Sequence, residues 1–379
     1  MIEKIATLNK FEQKPFHETE QKFLPIFPEK LERFRDQAAP IEQVYLSHPS
    51  EAFNLRIRET VGRTGPVYET TLKDAGTTTE HGLNRLEIES AVAADTFSFY
   101  RDLDQPSIKK QRAAPAEDIV IDFFEDGHVH AESENPESWS HFLHRHSLEN
   151  DFVEVTGDHV TDNEWRAHYN FRREHNGHEA LKPKPPLNVE AIRHEILLKQ
   201  IEYPVTIVRI SGRSGSGKST IVRELQEKLD EVNLPSLVLS TDDYHRGKAW
   251  LEDYNGGQPW TEWDAPIVYD RSLLETDLQR LRRGEVIAGR HFNFSSEESE
   301  AAGTIQPRPV ILLEGIYARH EDFSDIADLS YEVPTPLATC IGRRILRDMI
   351  ERPQFAQPER SLRYALEQAE PAYRQQCSA

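Results

Sequence analysis

In the second half of the chain, short apolar runs alternate with stretches of helical spacing. Val205-Thr206-Ile207-Val208-Arg209-Ile210 is rich in β-branched residues and predicts a buried strand. Thr220 through Leu229 is apolar at a 3.6-residue period with charges between, which predicts a helix. Leu237-Val238-Leu239-Ser240, Pro309-Val310-Ile311-Leu312-Leu313 and Leu329-Ser330-Tyr331-Glu332-Val333 predict three more strands.

The first half has a period of two. Glu18, Glu20 and Lys22 alternate with Thr19 and Gln21, and Arg56 and Arg58 lie two apart beside Leu55 and Ile57. Arg85, Glu87 and Glu89 alternate with Leu86 and Ile88, and the pairs Lys110/Arg112 and Glu132/Glu134 repeat the spacing. On a strand, alternate residues share a face, so several strands carry one ionic face. That face is either solvent-exposed, with the apolar side on a core, or the polar interior of a closed barrel. The pattern alone leaves both open. A mixed set of acids and bases suits a metal–polyphosphate ligand, because carboxylates hold a hard cation while arginine and lysine neutralise phosphate.

The proline-rich stretch Leu181-Lys182-Pro183-Lys184-Pro185-Pro186-Leu187-Asn188 separates the two patterns. We therefore expect a first domain over residues 1–180, a linker and short helix over 181–202 with Asn188 as N-cap, and a second domain over 203–379. The 379 residues have room for two or three domains, and 37% hydrophobic and 29% charged residues indicate a soluble globular protein. No apolar run approaches the ~20 residues of a membrane span, and the N-terminus lacks a secretory pattern. Cys340 and Cys377 are the only cysteines, which fits a reducing compartment, and the cytoplasm is the expected location. A formal net charge of −20 argues against nonspecific nucleic-acid or membrane binding.

Candidate chemistry begins at Gly212-Arg213-Ser214-Gly215-Ser216-Gly217-Lys218-Ser219, followed by Thr220. It fits G-x-x-x-x-G-K-[ST] between a strand and a helix, the context in which loop amides and a helix N-terminus cradle phosphates. Asp242 and Asp243 follow the second strand and Glu314 closes the third, so their carboxylates fall at the edge where open α/β sheets bind ligands. Arg343 and Arg347 share a helix face. His128, His130, His141, His144 and His146 read as surface histidines, because no acid or cysteine completes a metal set around them.

Two resemblances sharpen this reading. Glu18-x-Glu20-x-Lys22, the paired ionic strands and Asp151-Phe152-Val153-Glu154-Val155-Thr156-Gly157-Asp158 resemble the CYTH family, the triphosphate tunnel metalloenzymes, over roughly residues 10–175. The resemblance implies an antiparallel β tunnel of eight strands that binds or hydrolyses a triphosphate or pyrophosphate with Mg²⁺, or with Mn²⁺ as the alternative. Lys22, Arg56, Arg58, Lys73, Arg85, Lys110 and Arg112 would contact phosphate. Glu18, Glu20, Glu132 and Glu134 would hold the metal, and Glu87, Glu89 and Glu154 match further acidic positions.

The second half resembles the uridine kinase/phosphoribulokinase family over roughly residues 203–375. The matching pieces are the glycine loop, Ser240-Thr241-Asp242-Asp243-Tyr244, Trp263-Asp264-Ala265-Pro266 with Asp270, Leu313-Glu314-Gly315-Ile316-Tyr317 and the Arg-Arg-x-x-Arg-Asp helix. It implies a doubly wound parallel-sheet domain that moves a phosphoryl group from ATP to a nucleoside 5′-hydroxyl. Gly212 through Thr220 would bind ATP, and Ser219 and Glu314 would hold Mg²⁺. Lys218, Asp242, Arg343, Arg347 and Arg352 would be catalytic, and Asp264, Tyr244 and Phe292 would shape the acceptor pocket. Implied partners are nucleosides and nucleotide or polyphosphate ligands, with homo-oligomerisation left open.

Three departures stand out. The family's P-x-Y-D-F reads Arg290-His291-Phe292-Asn293-Phe294, and its pyrimidine-contacting histidine falls near Glu297. The lid reads Glu351-Arg352-Pro353 where glycine is usual. The sequence stops at Gln376-Cys377-Ser378-Ala379 where relatives continue, so the sheet is expected to lack its last edge strand. A reading from another class also stands: a metal-dependent phosphatase whose kinase-like half only binds nucleotide and regulates.

Overall fold

A computed structural model of the protein describes residues 16–158, 161–318, 326–351, 353 and 356–377. The chain divides into two compact units. One is built from residues up to Lys182 with Ile345–Arg363, and the other from Pro183–Arg344 with Tyr364–Ala379. The division falls inside the proline-rich stretch.

The first unit contains β1 (His17–Pro25), β2 (Ala39–Tyr45), β3 (Phe53–Gly62), β4 (Gly65–Asp74), β5 (Thr77–Thr79), β6 (Gly82–Ala91), β7 (Ser107–Ala116), β8 (Ile119–Phe124), β9 (Val129–Ser133) and β10 (Phe152–Glu154). Eight strands run antiparallel in the order β1-β9-β8-β7-β2-β3-β4-β6, and β6 pairs back onto β1 to close the ring. Strands β5 and β10 add to its rim. Closure settles the choice left by the pattern: the ionic face points into a barrel.

The opposite face is apolar and dry. Leu55, Ile57, Leu72 and Ile88 are fully buried while their neighbours Arg56, Arg58, Lys73 and Glu87 line the interior. Each such side chain gains about 1.5–3 kcal/mol from leaving water, and a one-residue slip would exchange the two faces, so register is firmly set. Helices α1 (Ala94–Arg101), α2 (Pro136–His146) and α3 (Asn163–Glu174) join a 3₁₀ segment over Pro28–Gln37 in this unit. Trp139 and Phe142 of α2 pack with Phe23, Leu31, Phe34, Ile119, Ile121 and Phe123, with Trp139 stacked on Phe23 at 4.1 Å. Asn135 starts α2 by accepting the Glu137 amide, and Asp162 starts α3 by accepting that of Glu164.

In the second unit β11 (Thr206–Ser211), β12 (Ser236–Ser240), β15 (Val310–Gly315) and β16 (Leu329–Glu332) form a parallel sheet in the order β12-β15-β11-β16. Strands β13 (Ile287–Asn293) and β14 (Glu298–Ile305) form a separate antiparallel hairpin. Helices α4 (Val189–Glu202), α5 (Lys218–Asp230), α6 (Lys248–Tyr254), α7 (Arg271–Arg282) and α10 (Glu370–Cys377) accompany them, whereas α8 (Leu337–Glu351) starts in this unit and ends among the residues of the first, where α9 (Pro358–Tyr364) also falls but for its last residue. Strand alternation sorts the core into two layers. Ile207, Leu239, Ile311 and Leu313 pack on Leu274, Leu278 and Leu281 of α7. Val208, Ile210, Val310 and Leu312 pack on Ile192 and Ile196 of α4 and on Val222, Leu225 and Leu229 of α5. A parallel sheet covered on both faces explains why its strands read as continuous apolar runs. Register sets Ser211 opposite Gly315 and Ser240 opposite Glu314, which gathers the candidate residues at one edge.

Among the described residues, no helix is long and apolar enough to cross a membrane.

Candidate active sites

The glycine loop leaves β11 and enters α5. Gly215 and Gly217 have φ of 81° and 95°, where a side chain is strained, and one at Gly215 would also collide with the Cys340 carbonyl. No side chain caps α5, so its first amides are presented at Gly217 with the positive end of the helix dipole. Lys218 Nζ donates to the Gly212 and Arg213 carbonyls at 3.0 Å each, curled along the loop. Ser216 is buried and its hydroxyl has no hydrogen-bond partner among the described residues. Ser219 and Thr220 are exposed on the first turn of α5, and Ser214 is half-buried.

Asp242 and Glu314 come together with Lys218. Burial raises the Asp242 carboxyl above its ordinary value; Lys218 opposes this and Asp243 and Asp264 add to it. Burial likewise raises Glu314, opposed by Lys218 and supported by Asp242. Asp243 faces elsewhere, because its carboxylate meets His291 Nδ1 at 3.2 Å and accepts the Phe292 amide at 3.3 Å. A guanidinium nitrogen of Arg343 lies 3.9 Å from where a side chain on Gly217 would begin, which sets it beside the loop. Arg347, one helical turn on, is exposed and donates to Asp348. Arg352 lies outside the described residues.

The residues expected around an acceptor divide. Asp264 accepts the Tyr364 hydroxyl at 2.6 Å on its carboxylate and the Tyr317 hydroxyl on its carbonyl. Tyr244 is turned into the core, with its hydroxyl on Asp277 at 3.1 Å and Arg290 over its ring. Phe292 is also buried, against His245, Trp263 and Phe294. Glu297, at the family's histidine position, pairs with Lys248 at 2.9 Å. The Arg213 guanidinium turns to Glu370, which accepts from both its Nε and its Nη2.

The barrel encloses a cavity of about 240 Å³. Its cations are Lys22, Arg56, Arg58, Lys73, Arg85 and Arg112, and its carboxylates are Glu18, Glu20, Glu87, Glu89, Glu117, Asp118, Glu132, Glu134 and Asp162. Directly opposed strand positions create the pairs: Glu18 with Arg85, Lys22 with Glu132, Lys73 with Glu87 and Arg58 with Glu69. Arg85 donates to Glu18 at 2.6 Å and to Glu20 at 2.7 Å, and Lys73 reaches Glu18 at 2.6 Å. Nine carboxylates against six cations would repel a bare polyanion. Arg56 and Arg58 nonetheless each keep a buried Nε with no hydrogen-bond partner among the described residues.

Lys110 is not among the lining residues. Its side chain is fully buried, with Nζ 2.5 Å from Asp122. Burial lowers its pKa to about 7, helped by Arg112 and opposed by Asp122. Glu154 is exposed and accepts from Thr156 and Gln21. His130 corrects the surface assignment: it is fully buried, with Nε2 3.2 Å from both Asp122 and Glu132, because strand pairing sets it opposite Asp122. His128 is half-buried, and burial lowers its pKa to about 4. His146 is half-buried too, whereas His141 and His144 are exposed.

Asp122, His130 and Glu132 have ligand atoms within 4.8 Å of one another, a spacing that suits a cation. Arg112 already forks onto Asp122 at 2.7 and 2.6 Å and reaches Glu132 at 2.9 Å, so with Lys110 these charges are balanced without a metal.

Sequence reasoning missed Asp122 and Glu370. Asp122 had a usable signal, as a lone acid alternating with Ile121 and Phe123. Glu370 had none near it in sequence.

The phosphoribulokinase/uridine kinase family model matches residues 207–357. The uridine kinase of Escherichia coli strain K12 is 34% identical over 156 residues, covering 40% of this chain and 71% of its own. That of Macrococcus caseolyticus strain JCSC5402 is 31% identical over 149 residues, covering 39% of this chain and 70% of its own. A solved structure described as an inorganic triphosphatase is 23% identical over 40% of this chain and 93% of its own, with a TM-score of 0.26. A likeness at that level says nothing about activity.

Proposed function

Because the chain belongs, through its P-loop unit, to the phosphoribulokinase/uridine kinase family, we propose that it transfers the γ-phosphoryl of ATP to the 5′-hydroxyl of a nucleoside of the uridine type. One observation carries the reading: strand register sets Glu314 opposite Ser240, next to Asp242, and both carboxylates lie within charge range of Lys218 on a glycine loop that presents its amides and a helix N-terminus. The loop amides and Lys218 bind the phosphates. Ser219 and Glu314 would hold Mg²⁺, since a hydroxyl and a carboxylate offer the hard oxygens it needs, and the ion would supply positive charge against the phosphates. Asp242 accepts the proton of the acceptor hydroxyl as its oxygen bonds to the γ-phosphorus. The bond from that phosphorus to the bridging oxygen breaks, and ADP departs. Arg343, beside the loop, faces the charge that grows on the transferring group. Asp264 orients the acceptor. The test is a nucleoside panel with ATP and Mg²⁺, read as nucleoside monophosphate. Monophosphate formed equally well by Asp242→Asn would defeat the assignment.

For the barrel the reading is a CYTH-like site that binds or hydrolyses a triphosphate or pyrophosphate together with a divalent metal. Its closed ionic interior and the unpartnered Nε atoms of Arg56 and Arg58 support an anionic ligand. The excess of carboxylates supports one that arrives with a cation. Glu18, Glu20, Glu132 and Glu134 would hold Mg²⁺ or Mn²⁺. Should phosphate release prove the main activity, the P-loop unit would be the regulatory partner. Glu18→Gln/Glu20→Gln tests this: release from inorganic triphosphate at the unchanged rate would rule the barrel out as a hydrolase.

A further inference from the structure

We propose that Glu370 is a positioning residue for the nucleotide loop, so that helix α10 forms part of the ATP site. This rests on the kinase reading and adds a segment that no loop motif contains.

Arg213 and Lys218 are the only charged residues in Gly212–Ser219. Lys218 lies along the loop, but Arg213 turns to α10. Its Nε donates to one Glu370 oxygen at 2.7 Å and its Nη2 to the other at 2.9 Å. The Tyr373 ring packs 4.6 Å from the guanidinium, and the Tyr373 hydroxyl donates to Glu332, at the end of β16, at 2.7 Å. Glu370 is 2% exposed and also accepts Arg374 Nε at 2.7 Å.

A two-pronged guanidinium–carboxylate contact fixes the direction and the plane of Arg213, and so constrains the backbone of the loop's second residue. The loop needs that constraint, since its glycines have little conformational preference of their own. Neighbours impose its shape at the other points. Thr335 donates to the Ser216 carbonyl at 2.8 Å, Val333 donates its amide to Ser211 at 2.8 Å, and the Cys340 carbonyl abuts Gly215. Glu370 supplies the hold at residue 213. Losing it would leave a largely buried guanidinium without its main counter-charge.

The two roles open to Arg213 predict opposite results. ADP affinity is measured by titration calorimetry on the full chain, for the unchanged protein, Glu370→Gln, Arg213→Met and the double variant. If Glu370 positions the loop through Arg213, each single change weakens ADP about 5- to 20-fold, and the double is no weaker than the worse single, since both remove one contact. The KM for MgATP rises in parallel while kcat stays within about twofold, because Lys218 and Asp242 are untouched. The binding stoichiometry counts folded protein, so a less stable variant still reports its affinity. If Arg213 touches phosphate instead, Glu370→Gln leaves ADP affinity unchanged or tighter while Arg213→Met alone weakens it. That result, or additive losses in the double variant, overturns the proposal. Failure of the unchanged protein to bind ADP overturns the kinase reading beneath it.

Discussion

The two units carry candidate anion sites built on opposite principles. In the P-loop unit the candidate site consists of backbone amides and one lysine, and the loop's other cation is taken by Glu370. In the barrel, side chains do everything, and most meet an opposite charge across a strand pair. A backbone site tolerates many side-chain changes but depends on φ at a few glycines. A side-chain site has no such tolerance, because each neutral substitution uncovers a partner that was balanced.

Four experiments would break or sharpen this contrast. Lys218→Met should lower kinase turnover by roughly 10²–10³-fold while leaving phosphate release from inorganic triphosphate unchanged; a parallel loss of both would mean that the sites are not independent. Glu18→Gln/Glu20→Gln should lower metal-dependent phosphate release by roughly 100-fold, with nucleoside phosphorylation as the control that stays constant. Asp122→Asn should destabilise the barrel by about 3–5 kcal/mol, since Lys110 and Arg112 would lose a fully buried counter-charge. Chemical unfolding would read that loss, with ADP affinity unaltered; no loss of stability would show the cluster to be dispensable.

The smallest effect is in pH. Asp242 must be ionised to accept a proton, and burial raises its pKa above the ordinary 3.8, so activity is lost at a higher pH on acidification than for an exposed aspartate. An acid limb of kcat/KM at or below that value would remove Asp242 from the role of base.

How legible each site was follows from the same contrast. The P-loop was readable as a string, because strand, loop and helix are contiguous and the glycines mark the turn. The sheet's apolar runs reported its two-sided burial directly. The barrel's alternation was readable, yet Arg85 meets Glu18 only once β6 pairs with β1 and the ring closes. His130 looked superficial because its partner Asp122 lies across a strand pair and not beside it in sequence. The partner of Arg213 was hidden for a similar reason: its counter-charge is 157 residues away. Local motifs convey backbone chemistry well, and they convey nothing of a charge neutralised from a distant element.

In the function proposed above, the P-loop unit transfers phosphoryl groups to a nucleoside while the barrel handles triphosphate separately. ATP labelled at the γ-phosphate, supplied with Mg²⁺ and uridine to the unchanged protein and to Glu18→Gln/Glu20→Gln, tests it most directly. The account predicts label in uridine monophosphate from both proteins. Label found only as free phosphate, and lost in the glutamate variant, would contradict it.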